Sequence, residues 1–180
     1  MKITRMLGIK PIAPKGGLHP NAAPLFSPTS DGRDRCVAVV SDDLCDVDTL
    51  VDSLPGRYWA AERVDILSFV DHEHSLMGRN WDLLVISMES INGLYEFVEA
   101  LMSFRSLHPG VPVLLVSVYL DADDYSLDRI EVCDVSVKAP VNEGNALGHL
   151  ARAFENNVEW VRRWELLRHN SKGVEVLQSL

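Results

Sequence analysis

The run Asp82-Leu83-Leu84-Val85-Ile86-Ser87 decides the fold. It is a short, continuous apolar stretch that stops at a polar residue. A second run, Val37-Ala38-Val39-Val40-Ser41-Asp42-Asp43, ends the same way in a small acidic cluster. A third, Val113-Leu114-Leu115-Val116-Ser117, closes on another hydroxyl. None of the three alternates apolar with polar. Strands of this kind are buried on both faces, as in a parallel sheet sandwiched by helices.

Working outward from these runs, the chain alternates strand and helix five times. The pattern predicts strand one over Cys36–Ser41 and a helix over Val47–Leu54, stopped by Pro55-Gly56. Strand two is expected over Arg63–Ser68 and a short helix over Val70–Gly78. Leu83–Ser87 is strand three. The helix after it, Gly93–Leu107, puts Leu94, Phe97, Val98, Leu101 and Phe104 on one face and ends at Pro109-Gly110. Val113–Ser117 is strand four, Ala122–Glu131 a further helix and Cys133–Lys138 strand five. Right-handed crossovers leave few topologies for such a chain. The expectation is an α/β fold, a flavodoxin-like doubly wound five-stranded parallel sheet of order 2-1-3-4-5 with an extended C-terminal helix. Its crevice lies where strands one and three diverge, at their carboxyl ends.

The last helix is overlong. Ala146 to Leu167 holds no proline and spans about 22 residues, or roughly 33 Å. Leu147, Leu150, Phe154, Val158, Val161 and Trp164 recur at helical spacing. That stripe outruns a sheet of this size, so Val158, Trp160, Val161 and Trp164 are expected at an interface, with a homodimer through this helix. The tail from Ser171, with Val174, Val176 and Leu177, is a candidate to fold back over part of the stripe. Three parts follow: a flexible N-terminal arm over 1–34, a domain over 35–155, and the helix extension and tail over 156–180. Five prolines and Gly16-Gly17 mark the arm.

Composition bounds the function. The 180 residues carry a net charge of −9, which argues against a general nucleic-acid binder. The charge is uneven: residues 1–35 balance to +4 and the remainder to −13. Three cysteines, Cys36, Cys45 and Cys133, include no CxxC pair and form no disulfide framework. A reducing cytoplasm is expected. No apolar stretch approaches the roughly 20 residues that span a membrane, and no apolar segment follows the basic first residues as a secretory signal requires.

At its strand ends the chain resembles the receiver domain of bacterial response regulators, over residues 35–155. The resemblance implies a site of two acids after strand one, an acceptor aspartate ending strand three, a hydroxyl ending strand four, and a lysine followed by proline after strand five. In that family the acids hold Mg²⁺, which takes hard oxygen ligands, and the lysine balances developing negative charge. Here Ser41-Asp42 falls on the acidic pair, with Asp43 following. Ser87 replaces the acceptor. Ser117 keeps its hydroxyl. In Val137-Lys138-Ala139-Pro140, Ala139 takes the lysine position and Lys138 stands one residue early. The positions of this degenerate phosphorylation site are therefore Ser41, Asp42, Asp43, Ser87, Ser117, Lys138 and Ala139. A magnesium ion, if held at all, falls to Asp42 and Asp43.

A serine without a neighbouring base is a poor nucleophile. Asp82 lies at the far end of strand three, and Glu89 reads as an exposed loop acid. The chain is therefore expected to be no enzyme and to need no cofactor. The expected function is a phosphorylation-independent, receiver-like (pseudo-receiver) module of a two-component signal-transduction system. It would bind a histidine kinase or another regulator by protein–protein contact. A second reading is a flavodoxin-like enzyme or small-ligand binder using the strand-end crevice, with Ser41, Asp42, Ser87 and Ser117 as polar contacts. His72 and His74 in Asp71-His72-Glu73-His74 diverge on a helix and read as a solvated face. Asp121, Asp123 and Asp124 lack calcium-loop spacing and read as loop formers. No Gly-rich phosphate loop, GxSxG or HExxH occurs.

Overall fold

A computed structural model describes residues 29–41, 45–54, 59–64, 69, 80–87 and 94–178. Its elements in chain order are β1 (Arg35–Val40), α1 (Cys45–Asp52), β2 (Trp59–Val64), β3 (Leu83–Ser87), α2 (Leu94–Leu107), β4 (Val113–Ser117), β5 (Val135–Lys138) and α3 (Glu143–Gln178). The five strands form one sheet of order β2-β1-β3-β4-β5, and every pairing is parallel. The expected topology is therefore the observed one.

The apolar runs explain the layering. Every residue of β3 and β4 is buried, so helices cover both faces. Val37, Val39, Leu83, Val85, Leu114 and Val116 pack on one face with Val47 and Leu50 of α1 and Ala146, Leu150 and Ala153 of α3. Ala38, Val40, Leu84, Ile86, Val113 and Leu115 point the other way, against Phe97, Leu101 and Phe104 of α2. Alternation along each strand divides one apolar run between two half-cores.

Three elements differ from the sequence reading. β2 begins at Trp59 rather than Arg63, because its pairing with β1 runs from Arg35↔Trp59 to Val40↔Val64. Trp59 lies under the Arg35 guanidinium (5.7 Å) and meets Phe154 edge-on (6.2 Å). Residues 122–131 are not a helix. Asp124 forms an antiparallel bridge with Ser136, and its carboxylate takes the Ser126 amide (2.8 Å) and the Arg129 guanidinium. Side chains that bond their own loop compete with helix formation. The helix expected over 70–78 lies outside the described residues.

The third difference is α3, which runs on to Gln178 instead of turning back after Ser171. Asn142 caps its start by accepting the Gly144 amide at 2.8 Å. Its 36 residues correspond to about 54 Å. Contact with the body continues through Trp160, which is only 6% exposed.

What holds the middle of α3 is polar. Arg105, at the end of α2, makes a two-pronged ion pair with Asp134, just before β5, at 2.7 and 2.9 Å. Both side chains are fully buried. Asp134 also accepts the Val113 amide at 2.6 Å. Trp160 lies over the Arg105 guanidinium at 4.7 Å. Asn156 donates to the carbonyls of Asp134 (2.7 Å) and Tyr125 (3.1 Å), and Asn157 to those of Pro109 (3.0 Å) and Val111 (3.3 Å). Nearby, Asp82 accepts Arg33 (2.7 Å), Arg35 (3.4 Å) and the Cys36 amide (2.9 Å). Arg33, placed by sequence in the arm, is thus tied to the body.

Candidate functional site

Parallel pairing brings the strand ends to one edge. Ser87 is in register with Val116, and Ser117 with Lys138. Ser41 follows β1 directly and is half-buried. The positions expected to share a site, Ser41, Ser87, Ser117, Lys138 and Ala139, therefore fall on the carboxyl edge of the sheet. Asp42, Asp43 and Glu89 lie outside the described residues, as do Asp71, His72, Glu73 and His74.

Ser87 is fully buried, and its Oγ has no hydrogen-bond partner among the described residues. A buried hydroxyl without a partner costs about 1–3 kcal/mol, so the position is not optimised for stability. Ser117 is equally enclosed, at 2% exposure, but its Oγ accepts the Tyr119 amide at 3.1 Å. That hydroxyl shapes the turn leaving β4. The Ser117 carbonyl accepts the Ala139 amide at 3.0 Å, which ties the ends of β4 and β5 together.

Lys138 is exposed, and its Nζ donates to the Asp121 carbonyl at 3.3 Å. Its amide donates to Asp123 Oδ1 at 2.9 Å. Successive strand residues point to opposite faces, so the buried neighbour is Ala139, at 4% exposure. The Ala139–Pro140 peptide is cis.

The acids after β4 build the loop. Asp123 receives the Lys138 amide and, at 3.2 Å, the Tyr125 hydroxyl. Burial pushes the Asp124 carboxyl up, but Arg129 and the Ser126 amide outweigh it and hold it below the usual range. Among the described residues, no three His, Cys, Asp or Glu are grouped to hold a metal ion.

Sequence reasoning missed one cluster here. The Tyr125 hydroxyl sits 2.8 Å from His149 Nδ1, and the two rings stack at 5.9 Å. Burial pushes the tyrosine up, with the Asp123 carboxylate adding to it. Burial also pushes His149 down, against the opposing pull of Asp123. The available signal was His149 itself, a polar residue on the apolar stripe between Ala146 and Leu150.

The α3 residues expected at an interface divide. Trp160 is buried in the chain's own body, because Arg105 and Asp134 form a floor for it beyond the sheet. Val158 is 66% exposed, while Val161 and Trp164 are half-buried. Leu166 and Leu167 add exposed apolar surface at 54% and 60%. Arg168 lies over Trp164 at 5.1 Å. Glu159 bonds Arg162 and Arg163, which pull its carboxyl down to about 2. No helix among the described residues is long and apolar enough to cross a membrane.

No protein-family model and no curated protein matches the chain. Solved structures similar to it include a response regulator from Thermotoga maritima, at 15% identity, covering 68% of this chain and 98% of that one with a TM-score of 0.47. A CheY-like response regulator receiver domain protein from Methanospirillum hungatei has 17% identity, covers 70% and 98%, and scores 0.48. A putative pilus assembly-related protein from Burkholderia pseudomallei has 20% identity, covers 68% and 90%, and scores 0.47. Likenesses at this level say nothing of activity, and the topology rests on the strand pairings of the chain itself.

Proposed function

We propose that this chain is a receiver-like signalling module that works by protein–protein contact and without phosphoryl transfer. It belongs on this reading to a cytoplasmic two-component pathway of a bacterium, with a histidine kinase or another regulator as its partner. It forms a homodimer through the part of α3 beyond Trp160. The observation that carries the reading is the strand-end edge. On this reading Ser87, fully buried and without a hydrogen-bond partner among the described residues, takes the acceptor position and the buried Ala139 the lysine position, while the Lys138 ammonium donates to the Asp121 carbonyl. Such an edge keeps the frame of a switch without the charges that drive it. Residues 1–34 remain on this reading an arm attached to the body through Arg33.

Incubation with acetyl phosphate and Mg²⁺, followed by intact-mass spectrometry, tests the first part. The unmodified mass is expected, and an aspartyl phosphate overturns it. Light scattering tests the second. The full chain is expected at twice the mass of a monomer, and a chain ending at Trp160 at the monomer mass.

The partnerless Ser87 Oγ also favours a second reading, in which the crevice binds a small polar ligand. Stabilisation by a nucleotide or signalling metabolite in a thermal-shift screen would support it. A flat screen would count against it.

A further inference from the structure

We infer that the buried Arg105–Asp134 pair is a registry lock for α3: it fixes the direction in which the helix leaves the body, and it is not a source of stability. The inference goes beyond the proposed signalling role and does not depend on it.

The first half of α3 meets the sheet through Ala146, Leu150 and Ala153. Such contacts are non-directional, and the directional contact seen in this half is the bond between His149 and the Tyr125 hydroxyl, at 2.8 Å. The next contact is of a different kind. Asn156, Asn157 and Trp160 form one inward face, spaced at three and four residues. Each meets a partner whose geometry is directional. Asn156 bonds the Asp134 and Tyr125 carbonyls, Asn157 bonds those of Pro109 and Val111, and the Trp160 ring lies against the Arg105 guanidinium at 4.7 Å. Asp134 in turn fixes Arg105 with two bonds and β4 through the Val113 amide. One carboxylate therefore links the end of α2, the starts of β4 and β5, and the middle of α3.

Stability is a poor explanation for the pair. Both side chains are fully buried, and the Arg105 Nε has no partner among the described residues. Removing two charges from water costs about as much as their attraction returns, so apolar residues of similar volume serve as well or better. What an apolar replacement lacks is direction. That matters because α3 continues from 161 to 178 beyond the lock, about 27 Å of helix. A tilt of roughly 10° at Trp160 moves the tip by about 5 Å on a lever of that length.

The test compares the full-length chain with the double variant Arg105→Met/Asp134→Leu. Spin labels are placed at Glu131 on the body and Leu166 on α3, both exposed, through non-cysteine chemistry because Cys36 and Cys133 are free thiols. Labelled chain is diluted in excess unlabelled chain, so that pulsed dipolar spectroscopy reads the distance within one molecule. One narrow distance is expected in the wild type. In the double variant the melting temperature is expected to fall only modestly, by what the Val113 amide loses with its acceptor, while the distance distribution shifts or widens about two-fold or more. An unchanged distribution in the variant overturns the inference, as does a broad one in the wild type. A double variant that melts well below wild type, or fails to fold, overturns it as well, because the pair would then be a stabiliser.

Discussion

Replacing Ser87 by alanine should make the protein more stable. The Ser87 Oγ is fully enclosed and, among the described residues, accepts or donates no hydrogen bond. Folding removes it from water without a return, at a cost of about 1–3 kcal/mol. Ser87→Ala abolishes that cost and leaves a void no larger than a hydroxyl group. At about 24 cal/mol per Å³, a void on the order of 15 Å³ costs roughly 0.4 kcal/mol. The balance is a gain of about 1–2 kcal/mol, which raises the melting temperature of a chain this size by roughly 2–8 °C. Urea unfolding followed by tryptophan fluorescence measures the free energy, and calorimetry the temperature. A loss of about 1 kcal/mol or more would refute the reasoning, since it would mean that the hydroxyl is bonded in solution. The reverse substitution tests the same environment. Ser87→Asp puts a carboxylate where Ala139 offers no charge and Lys138 faces elsewhere. It should destabilise by about 3–5 kcal/mol, as an uncompensated buried charge does, and should still yield no aspartyl phosphate with acetyl phosphate and Mg²⁺.

Asp134→Leu alone strands the Arg105 guanidinium and the Val113 amide, and should cost about 3–5 kcal/mol in chemical denaturation. Adding Arg105→Met to it should recover most of that loss. Stability should fall as the solution is acidified from neutral, because burial holds His149 and His108 below the usual histidine value. The unfolded chain then binds more protons, so the stabilisation is present above about pH 6.5 and is lost as pH falls from there through the folded values. Denaturation curves across this range check it, and His149→Gln should flatten the slope. Ending the chain at Trp164 should leave the melting temperature of the body nearly unchanged, since the buried face of α3 closes at Trp160. A chain ending at Glu155 should melt much lower, because it lacks Asn156, Asn157 and Trp160.

The parts of the fold written as continuous apolar runs were legible. β1, β3 and β4 are buried on both faces, and two-faced burial leaves a run that needs no partner to be recognised. β2 was misplaced because its residues, Trp59-Ala60-Ala61-Glu62-Arg63-Val64, bury only the ends of the strand. The helix expected over 122–131 failed for a different reason. Asp123, Asp124 and Tyr125 bond to Lys138, Arg129 and His149, and such tertiary bonds do not appear in local propensity. At the strand ends, Ser87, Ser117 and the displacement of Lys138 could be counted from the sequence. That Ser87 lacks a partner could not, since it depends on where β1 and β4 carry their side chains. Arg105 and Asp134 were missed entirely. Their only signs were a charged residue following Phe97, Leu101 and Phe104 on the apolar face of α2, and an acid between Cys133 and Val135.

The segment that replaced the expected helix has a consequence for how the chain behaves at high concentration. Its bridge from Asp124 to Ser136 runs along the outer margin of β5 and occupies backbone groups there. A sheet margin with unpaired backbone groups is a template on which another chain can grow. Among the described strands, that leaves β2 as the margin without a strand partner on its outer side. There Ala60 and Ala61 are exposed, but Glu62 and Arg63 follow at once, and charges of this kind discourage stacking of strand on strand. Self-assembly of this protein by strand addition is thus blocked by a bridge on one side and opposed by charge on the other. Neutralising Glu62 and Arg63 together would remove that opposition on the β2 side.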